Sequence, residues 1–258
     1  MRIAFDIVGS REKAVAVVDM PEGSDEMAIA KEIMGRYKHV KSVIAKESGR
    51  QDPYRLYNFH IITGDQNTEV LHKEHGYILK LDPQKVYFSP REAEERARIA
   101  KKVKRGERVL VMFAGVGPYA IAIAKAQPKA DIVCVEINPK AVEYADENVQ
   151  LNKLVGRIKN YVGDVREVVP KIGKFNRIIM PLPESAHLFL DTAFAAAVKG
   201  AIIHLYGISE YQKGFPDLEA LVKSAATNVG KKIRIIGRQK VLPFAPYRWK
   251  ARIDIKVL

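Results

Sequence analysis

The stretch Glu107 to Glu136, ERVLVMFAGVGPYAIAIAKAQPKADIVCVE, constrains the fold more than any other part of the chain. Arg108 to Phe113 has the β-branched, apolar run of a short strand. Ala114-Gly115-Val116-Gly117-Pro118 makes a tight turn, and Pro118 to Gln127 is an alanine-rich run of helical length. Asp131 to Val135 is a second strand, ending at Glu136. Two strands joined through a helix lie parallel, with a right-handed crossover. Gly115 and Gly117 let the backbone approach a ligand closely. Glu136, 21 residues past Gly115, is placed to accept hydrogen bonds from ribose hydroxyls. This is a nucleoside-binding half-site in an α/β protein.

The glycines do not say which nucleoside. Gly115-x-Gly117-x-x-Ala120 also fits the dinucleotide fingerprint, so NAD stays open. Pro118 removes a helix N–H that a pyrophosphate would use, whereas S-adenosyl-L-methionine carries no phosphate. Asn160 to Val165 reads as a third strand ending in an acid, Asp164. Asn176 to Met180 reads as a fourth, running into Pro181-Leu182-Pro183. An acid after the third strand can meet the adenine amino group, and a proline-bounded loop after the fourth can face the target atom. That arrangement suits a methyltransferase; an NAD-type fold or an empty α/β domain is the alternative.

Composition narrows the partners. A chain of 258 residues has room for one large domain and a small one. No apolar run reaches membrane-spanning length and the start, MRIAFDIVGS, lacks a signal-peptide layout, so a cytoplasmic protein without membrane contact is expected. One cysteine, Cys134, excludes an internal disulfide and suits buried packing; no metal site is expected. The net charge of +13 favours a polyanionic partner, against a merely basic soluble surface.

Three segments are expected: a small α/β domain at 1–50, a bridging β segment at 51–82 and the nucleoside-binding catalytic domain at 83–258. In the first, Arg2 to Val8, Lys13 to Val18 and Val40 to Ala45 read as strands, and Ser24 to Tyr37 as a helix capped by Ser24. Tyr54 to Thr63, Thr68 to Lys73 and Tyr77 to Leu81 read as the bridging strands. Ser89-Pro90-Arg91-Glu92 has the form of a capping box, after which Arg91 and Glu95 share a helix face, by spacing alone as a surface ion pair. Ala186 to Val198 and Pro216 to Val229 read as helices, Ala201 to Gly207 as a fifth strand. Lys232 to Ile236 and Arg252 to Val257 read as a closing antiparallel pair, flanking a loop whose Tyr247, Arg248 and Trp249 could meet an RNA base.

The chain resembles the archaeal and eukaryotic tRNA (guanine-N1)-methyltransferases, which modify the purine 3′ of the anticodon. The resemblance runs from Asp6-Ile7-Val8-Gly9 to the end. Its strongest pieces are Leu71 to Tyr77, Lys85 to Arg91 with Glu95-Arg96-Ala97-Arg98, Met112 to Pro118, Gly163 to Val168, Met180-Pro181-Leu182-Pro183 and Ala245-Pro246. It implies a Rossmann-like class I methyltransferase domain with a mostly parallel seven-stranded sheet, S-adenosyl-L-methionine as cofactor and a tRNA anticodon stem-loop as partner, acting as a monomer. Family members commonly carry a further N-terminal domain that touches the tRNA elbow; this sequence starts too late to include it.

By resemblance Glu95 removes the guanine N1 proton, Arg55 stabilises the neighbouring carbonyl oxygen or holds nearby backbone, and Arg91 orients base or phosphate. Arg96, Phe113, Gly115, Gly117, Glu136, Ile137, Asp164, Val165, Pro181 and Pro183 are the expected cofactor contacts. Two positions depart from the family. Val111 stands where relatives tend to carry an acid that helps hold the methionine moiety. Pro181 stands where guanine-methylating relatives usually have asparagine, so a carbonyl remains to accept from the guanine amino group but an amide contact is lost. Two other functions are weighed: the sister aminocarboxypropyl transfer of wybutosine synthesis, and a non-catalytic RNA-binding module on the same fold.

Overall fold

The computed structural model of the protein describes residues 3–47, 54, 57–210 and 215–258. Arg55 lies outside the described residues.

The chain begins with β1 (Phe5–Gly9), β2 (Ala14–Val18), α1 (Glu26–Arg36), β3 (Val40–Lys46) and β4 (Phe59–Gly64), which build a four-stranded sheet in the order β1-β2-β3-β4. Strand β4 comes from beyond the polar stretch at 47–53, so this sheet extends past residue 50. The cap of α1 is Asp25, which accepts from the Ala28 N–H at 3.0 Å; the expected cap, Ser24, donates back to the Pro21 carbonyl instead. Ala30 and Ile33 of α1 bury against Ala14, Ala16, Val40 and Val43.

A hairpin of β5 (Val70–Glu74) and β6 (Tyr77–Leu81) follows. Its outer edge is closed by side chains, not by a strand. On α4 (Pro139–Leu151), Asn148 accepts from the Lys80 N–H and donates to the Lys80 carbonyl, and Asn152, just beyond, does the same for Ile78. Each amide has a donor and an acceptor spaced like a peptide group, so it satisfies an edge strand as a neighbouring strand would.

The main sheet is seven-stranded: β7 (Arg108–Met112), β8 (Asp131–Glu136), β9 (Ile158–Val162), β10 (Phe175–Met180), β11 (Ala197–Glu210), β12 (Ile233–Ala245) and β13 (Arg248–Val257), in the order β12-β13-β11-β10-β7-β8-β9. β9 to β11 pair in parallel and β13 inserts antiparallel between β11 and β12. The order reverses between β7 and β10, and the crevice beyond their carboxyl ends is where open α/β sheets bind ligands. One core lies between the sheet and α2 (Ala93–Ala100), α3 (Pro118–Ala126) and α4. The other lies against α5 (Val165–Val168), α6 (Leu190–Ala196) and α7 (Pro216–Asn228).

Three expectations need correction. The fifth strand starts at Ala197, where α6 stops, and runs to Glu210. The aromatic-basic loop at 243–249 is mostly strand: β12 and β13 pair as far as Ala245 and Arg248, leaving Pro246-Tyr247 as the turn. Pro243 is tolerated because β12 is the edge strand and its register shifts around that position. Finally, Ser89 makes no side-chain cap; Pro90–Glu92 form a short 3-10 turn ahead of α2, and Glu92 is drawn elsewhere.

Candidate active site

The turn after β7 has the backbone its glycines foretell. Gly115 (φ +57°) and Gly117 (φ +82°) are left-handed, and Pro118 opens α3. Phe113 shares that conformation at φ +58°, a strained position for a side-chain residue and of the kind that collects at functional sites. Glu136, at the end of β8, turns its carboxylate onto this turn. It accepts from the Gly115 N–H at 2.8 Å and the Asn138 N–H at 2.9 Å. Burial raises its pKa and those backbone donors only partly offset the rise.

Beside this turn lies a cleft of about 420 Å³ lined by Phe113, Ile137, Gly163, Asp164, Val165, Arg166, Leu182, Glu184, Ser185 and Phe189. The Phe113 and Phe189 rings meet edge to face at 5.0 Å, giving an apolar slot. Asp164 stands at its rim and caps α5 through the Arg166 N–H. The Arg166 guanidinium grips the same carboxylate at 2.6 Å and holds its pKa below the usual range. An apolar slot with a carboxylate at its edge and a glycine turn at its end suits a nucleoside. Of the expected cofactor residues, Phe113, Ile137, Asp164 and Val165 line this cleft; Gly115, Gly117 and Glu136 build the adjoining turn.

A second cleft, of about 510 Å³, opens between the two sheets. Asp6, Asp19, Lys46, Tyr57 and Phe59 line it from the first sheet, Tyr87, Phe88, Arg91, Glu92 and Pro183 from the loops before α2 and after β10, and Phe244 and Lys250 from the β12–β13 hairpin. Glu184 borders both clefts, so they meet at the 181–185 loop. Arg91 holds Asp6 at 2.5 Å across the cleft and does not pair with Glu95. Pro181, half-buried directly after β10, begins the loop, which the Leu182 carbonyl tightens by accepting from Ser185 and Ala186.

Two expected residues lie apart from both linings. Arg96 is buried and grips Glu74 through Nε at 2.8 Å and a terminal nitrogen at 2.5 Å, also donating to the Ser89 carbonyl. It ties the β5–β6 hairpin to α2. Glu95 is 2% exposed. Its Oε1 accepts from the Tyr206 hydroxyl at 2.7 Å and from Arg252, and its Oε2 from Arg98. Val111 is buried in mid-strand, so the position that departs from the family is plain core.

The reason is a ladder of ion pairs between β13 and the segment that runs from the 3-10 turn before α2 to just past its end. Glu92 meets Lys250 at 2.7 Å, Glu95 meets Arg252, and Lys102 meets Asp254 at 3.5 Å. A helical turn advances about 5.4 Å and two strand residues about 6.8 Å, so carboxylates one turn apart reach cations two residues apart. The alternate residues Ala251, Ile253, Ile255 and Val257 enter the opposite core. Lys250, Arg252, Tyr206, Arg166 and Glu92 were not singled out as site residues from sequence. The available signal was the charged alternation of Lys250, Arg252 and Asp254 in an otherwise apolar strand.

With the geometry in place, comparison with known proteins identifies the family. Residues 70–234 match the family described as TRM5/TYW2 methyltransferase domain. The tRNA (guanine(37)-N(1))-methyltransferase Trm5b of Pyrococcus abyssi is 38% identical over 98% of this chain and 74% of the relative. The structure of the complex of aTrm5 and tRNALeu superposes with a TM-score of 0.86 at 34% identity, covering 99% of this chain and 72% of that one. TYW2 of Methanocaldococcus jannaschii in complex with AdoMet superposes at 0.76 with 25% identity, covering 98% and 99%. The chain belongs to the TRM5/TYW2 methyltransferase family, a family of S-adenosylmethionine-dependent enzymes that act on tRNA.

Proposed function

We propose, from that membership, that the protein transfers the methyl group of S-adenosylmethionine to N1 of the guanosine 3′ of the anticodon, position 37 of tRNA. The observation that carries the reading is the meeting of two unlike clefts at the 181–185 loop. The smaller suits the adenosine of the cofactor, with Asp164 at its rim for the adenine amino group and Glu136 of the adjoining glycine turn for the ribose. The larger has aromatic walls and charged rims, as an unstacked base from an anticodon loop requires.

S-adenosylmethionine supplies a methyl group already activated on sulfonium. What the chain must add is position and a proton acceptor. Guanine N1 carries a proton at neutral pH, and its lone pair is free to attack only as that proton leaves. Glu95 is the proposed general base. Arg252 and Tyr206 hold its Oε1, while Oε2 is covered by Arg98, whose side chain is 42% exposed. Arg98 can turn to solvent without stranding a buried charge, which uncovers Oε2; because Glu95 lines neither cleft, the N1 proton reaches it only if the base enters past the Glu92 side of the larger cleft. A second reading rests on one observation: Glu92, one turn earlier, is the carboxylate that itself lines the larger cleft. Arg91 and Pro183 border that cleft and are proposed to orient the base.

The test is incubation with unmodified tRNA and labelled cofactor, followed by nucleoside analysis by mass. The expected product is 1-methylguanosine at position 37. An aminocarboxypropyl adduct on a tricyclic base would move the protein to the sister activity, and absence of any product would leave an RNA-binding module. Glu95→Gln and Glu92→Gln in single turnover then assign the base: the variant that loses transfer while keeping cofactor and tRNA affinity carries it.

A further inference from the structure

We infer that Lys250 is a further catalytic residue, donating to O6 of the target guanine and stabilising the negative charge that gathers there as N1 loses its proton. The inference rests on the reading of guanine N1 as the methyl acceptor. Lys250 lines the larger cleft, yet its side chain is only 3% exposed. Among the described residues its one carboxylate partner is Glu92, at 2.7 Å, and the Tyr206 ring lies under its ammonium at 4.9 Å. An ammonium has three donors, so this one keeps hydrogen-bonding capacity toward the cleft.

The chemistry of the pair selects the ligand. The edge of guanine that carries the target atom presents an acceptor, O6, beside a donor, N1–H. Lys250 presents the donor that O6 takes, and the carboxylate base presents the acceptor for the neighbouring N1–H. A phosphate is a poor match for the same group. Phosphate contacts come from exposed cations, whereas Lys250 is buried and its charge is already balanced by Glu92. Such a pair favours a neutral group that becomes anionic in the transition state, which is where a preoriented donor contributes most. In the step, the N1–H proton passes to the carboxylate base and the negative charge spreads onto O6. The N1 lone pair then forms the N–CH3 bond as the C–S bond breaks, leaving a neutral thioether and a neutral methylated base.

The experiment is single-turnover methyl transfer to a guanosine-37 tRNA by Lys250→Met and Lys250→Arg, with tRNA affinity measured across a salt series. Lys250→Met should slow transfer by about 100- to 1,000-fold, the loss typical of one oxyanion donor, with tRNA affinity and its salt slope unchanged. Lys250→Arg should retain more of the rate. An unchanged rate in Lys250→Met overturns the proposal. So does a salt slope reduced by about one with the rate intact, which marks a phosphate contact. Because Lys250→Met leaves Glu92 buried without its cation, the melting temperature and cofactor affinity of the same variant are the control for folding. Both should stay close to wild type while transfer slows; a rate that falls only in step with lost cofactor affinity would make Lys250 a packing residue and overturn the proposal. If the wild-type protein forms no 1-methylguanosine, the proposed function fails; if it does and Lys250→Met matches it, only this inference fails.

Discussion

Arg177 donates to Nε2 of His204 at 2.7 Å, and that contact determines the tautomer of the ring. A guanidinium can only donate, so Nε2 is the acceptor and the proton sits on Nδ1, which donates to Asp254 at 2.7 Å. Burial, with Arg177 and Arg252 alongside, keeps the His204 pKa below its ordinary value despite Asp254. Asp254 in turn accepts from Arg252 at 2.7 Å, and Arg252 reaches Glu95. Glu107, which grips Arg177 at 2.7 and 3.0 Å, closes the far end. A buried chain of charges crosses the sheet and ends on the proposed base. Such networks add little net stability over an apolar core, so the return here is orientation.

Removing one member should therefore be worse than the stability of the network suggests. Arg252→Met removes the cation that Glu95 and Asp254 share, leaving Arg98 and Tyr206 on the first and His204 and Lys102 on the second, and is expected to lower the unfolding free energy by about 1–3 kcal/mol. Denaturant unfolding measures it; a loss below about 1 kcal/mol would mean that the carboxylates find other partners.

Acid should unfold the protein in two stages. His204 is depressed in the folded state, so the unfolded chain takes up its proton first and stability starts to fall as pH drops through the ordinary value of 6.5. Burial pushes Glu74 upward, but Arg96, His72 and Tyr77 outweigh it and bring it down to about 2. Its stabilisation is present above the ordinary 4.5 and is lost as pH falls from there toward 2, amounting to about 3 kcal/mol. Stability against pH should show both declines, and Glu74→Gln should shrink the lower one, to which Asp254 also contributes: burial pushes it up, but His204 and Arg252 hold it below its ordinary value.

Glu136→Ala should weaken S-adenosylmethionine by about 10- to 100-fold with the fold intact, as expected for the loss of hydrogen bonds to a charged acceptor. Calorimetric titration decides, and an unchanged affinity would place Glu136 outside the cofactor site. Because its pKa is raised, wild-type affinity should begin to fall on acidification above the usual carboxylate range.

Asn148→Ala leaves the Lys80 N–H and carbonyl without their partner and should cost about 1–3 kcal/mol. Hydrogen exchange should rise first in Tyr77–Leu81; exchange confined to other strands would rule out the amide as the edge closure.

Binding of tRNA should weaken steeply with salt, as phosphate contacts release counterions. A flat response would favour a small-molecule acceptor over RNA.

The sheet and the glycine turn beside the smaller cleft were legible because local chemistry encodes them. Gly115 and Gly117 state the backbone they need, Pro118 marks a helix start, and β-branched runs mark β7, β8 and β10 to within a residue. The larger cleft was not legible to the same degree. Glu92 at the third position after Ser89 has the form of a cap, and sequence has no means of knowing that a lysine 158 residues later would claim it. A buried ammonium is the stronger partner than one backbone N–H already near solvent. Arg91 and Glu95 look like neighbours on a helix, yet each has a partner from a distant strand.

By itself, then, the sequence determined the αβ order, the glycine turn, the acids Glu136 and Asp164, and through its motifs the family. Only tertiary structure decided which charges face a cleft and which are sealed beneath it. Propensity, turn and cap act over a few residues and can be read along the chain. The pairing of α2 with β13 depends on where an antiparallel strand inserts into the sheet, and that placement puts Glu92 with Lys250 at the cleft and Glu95 with Arg252 behind it.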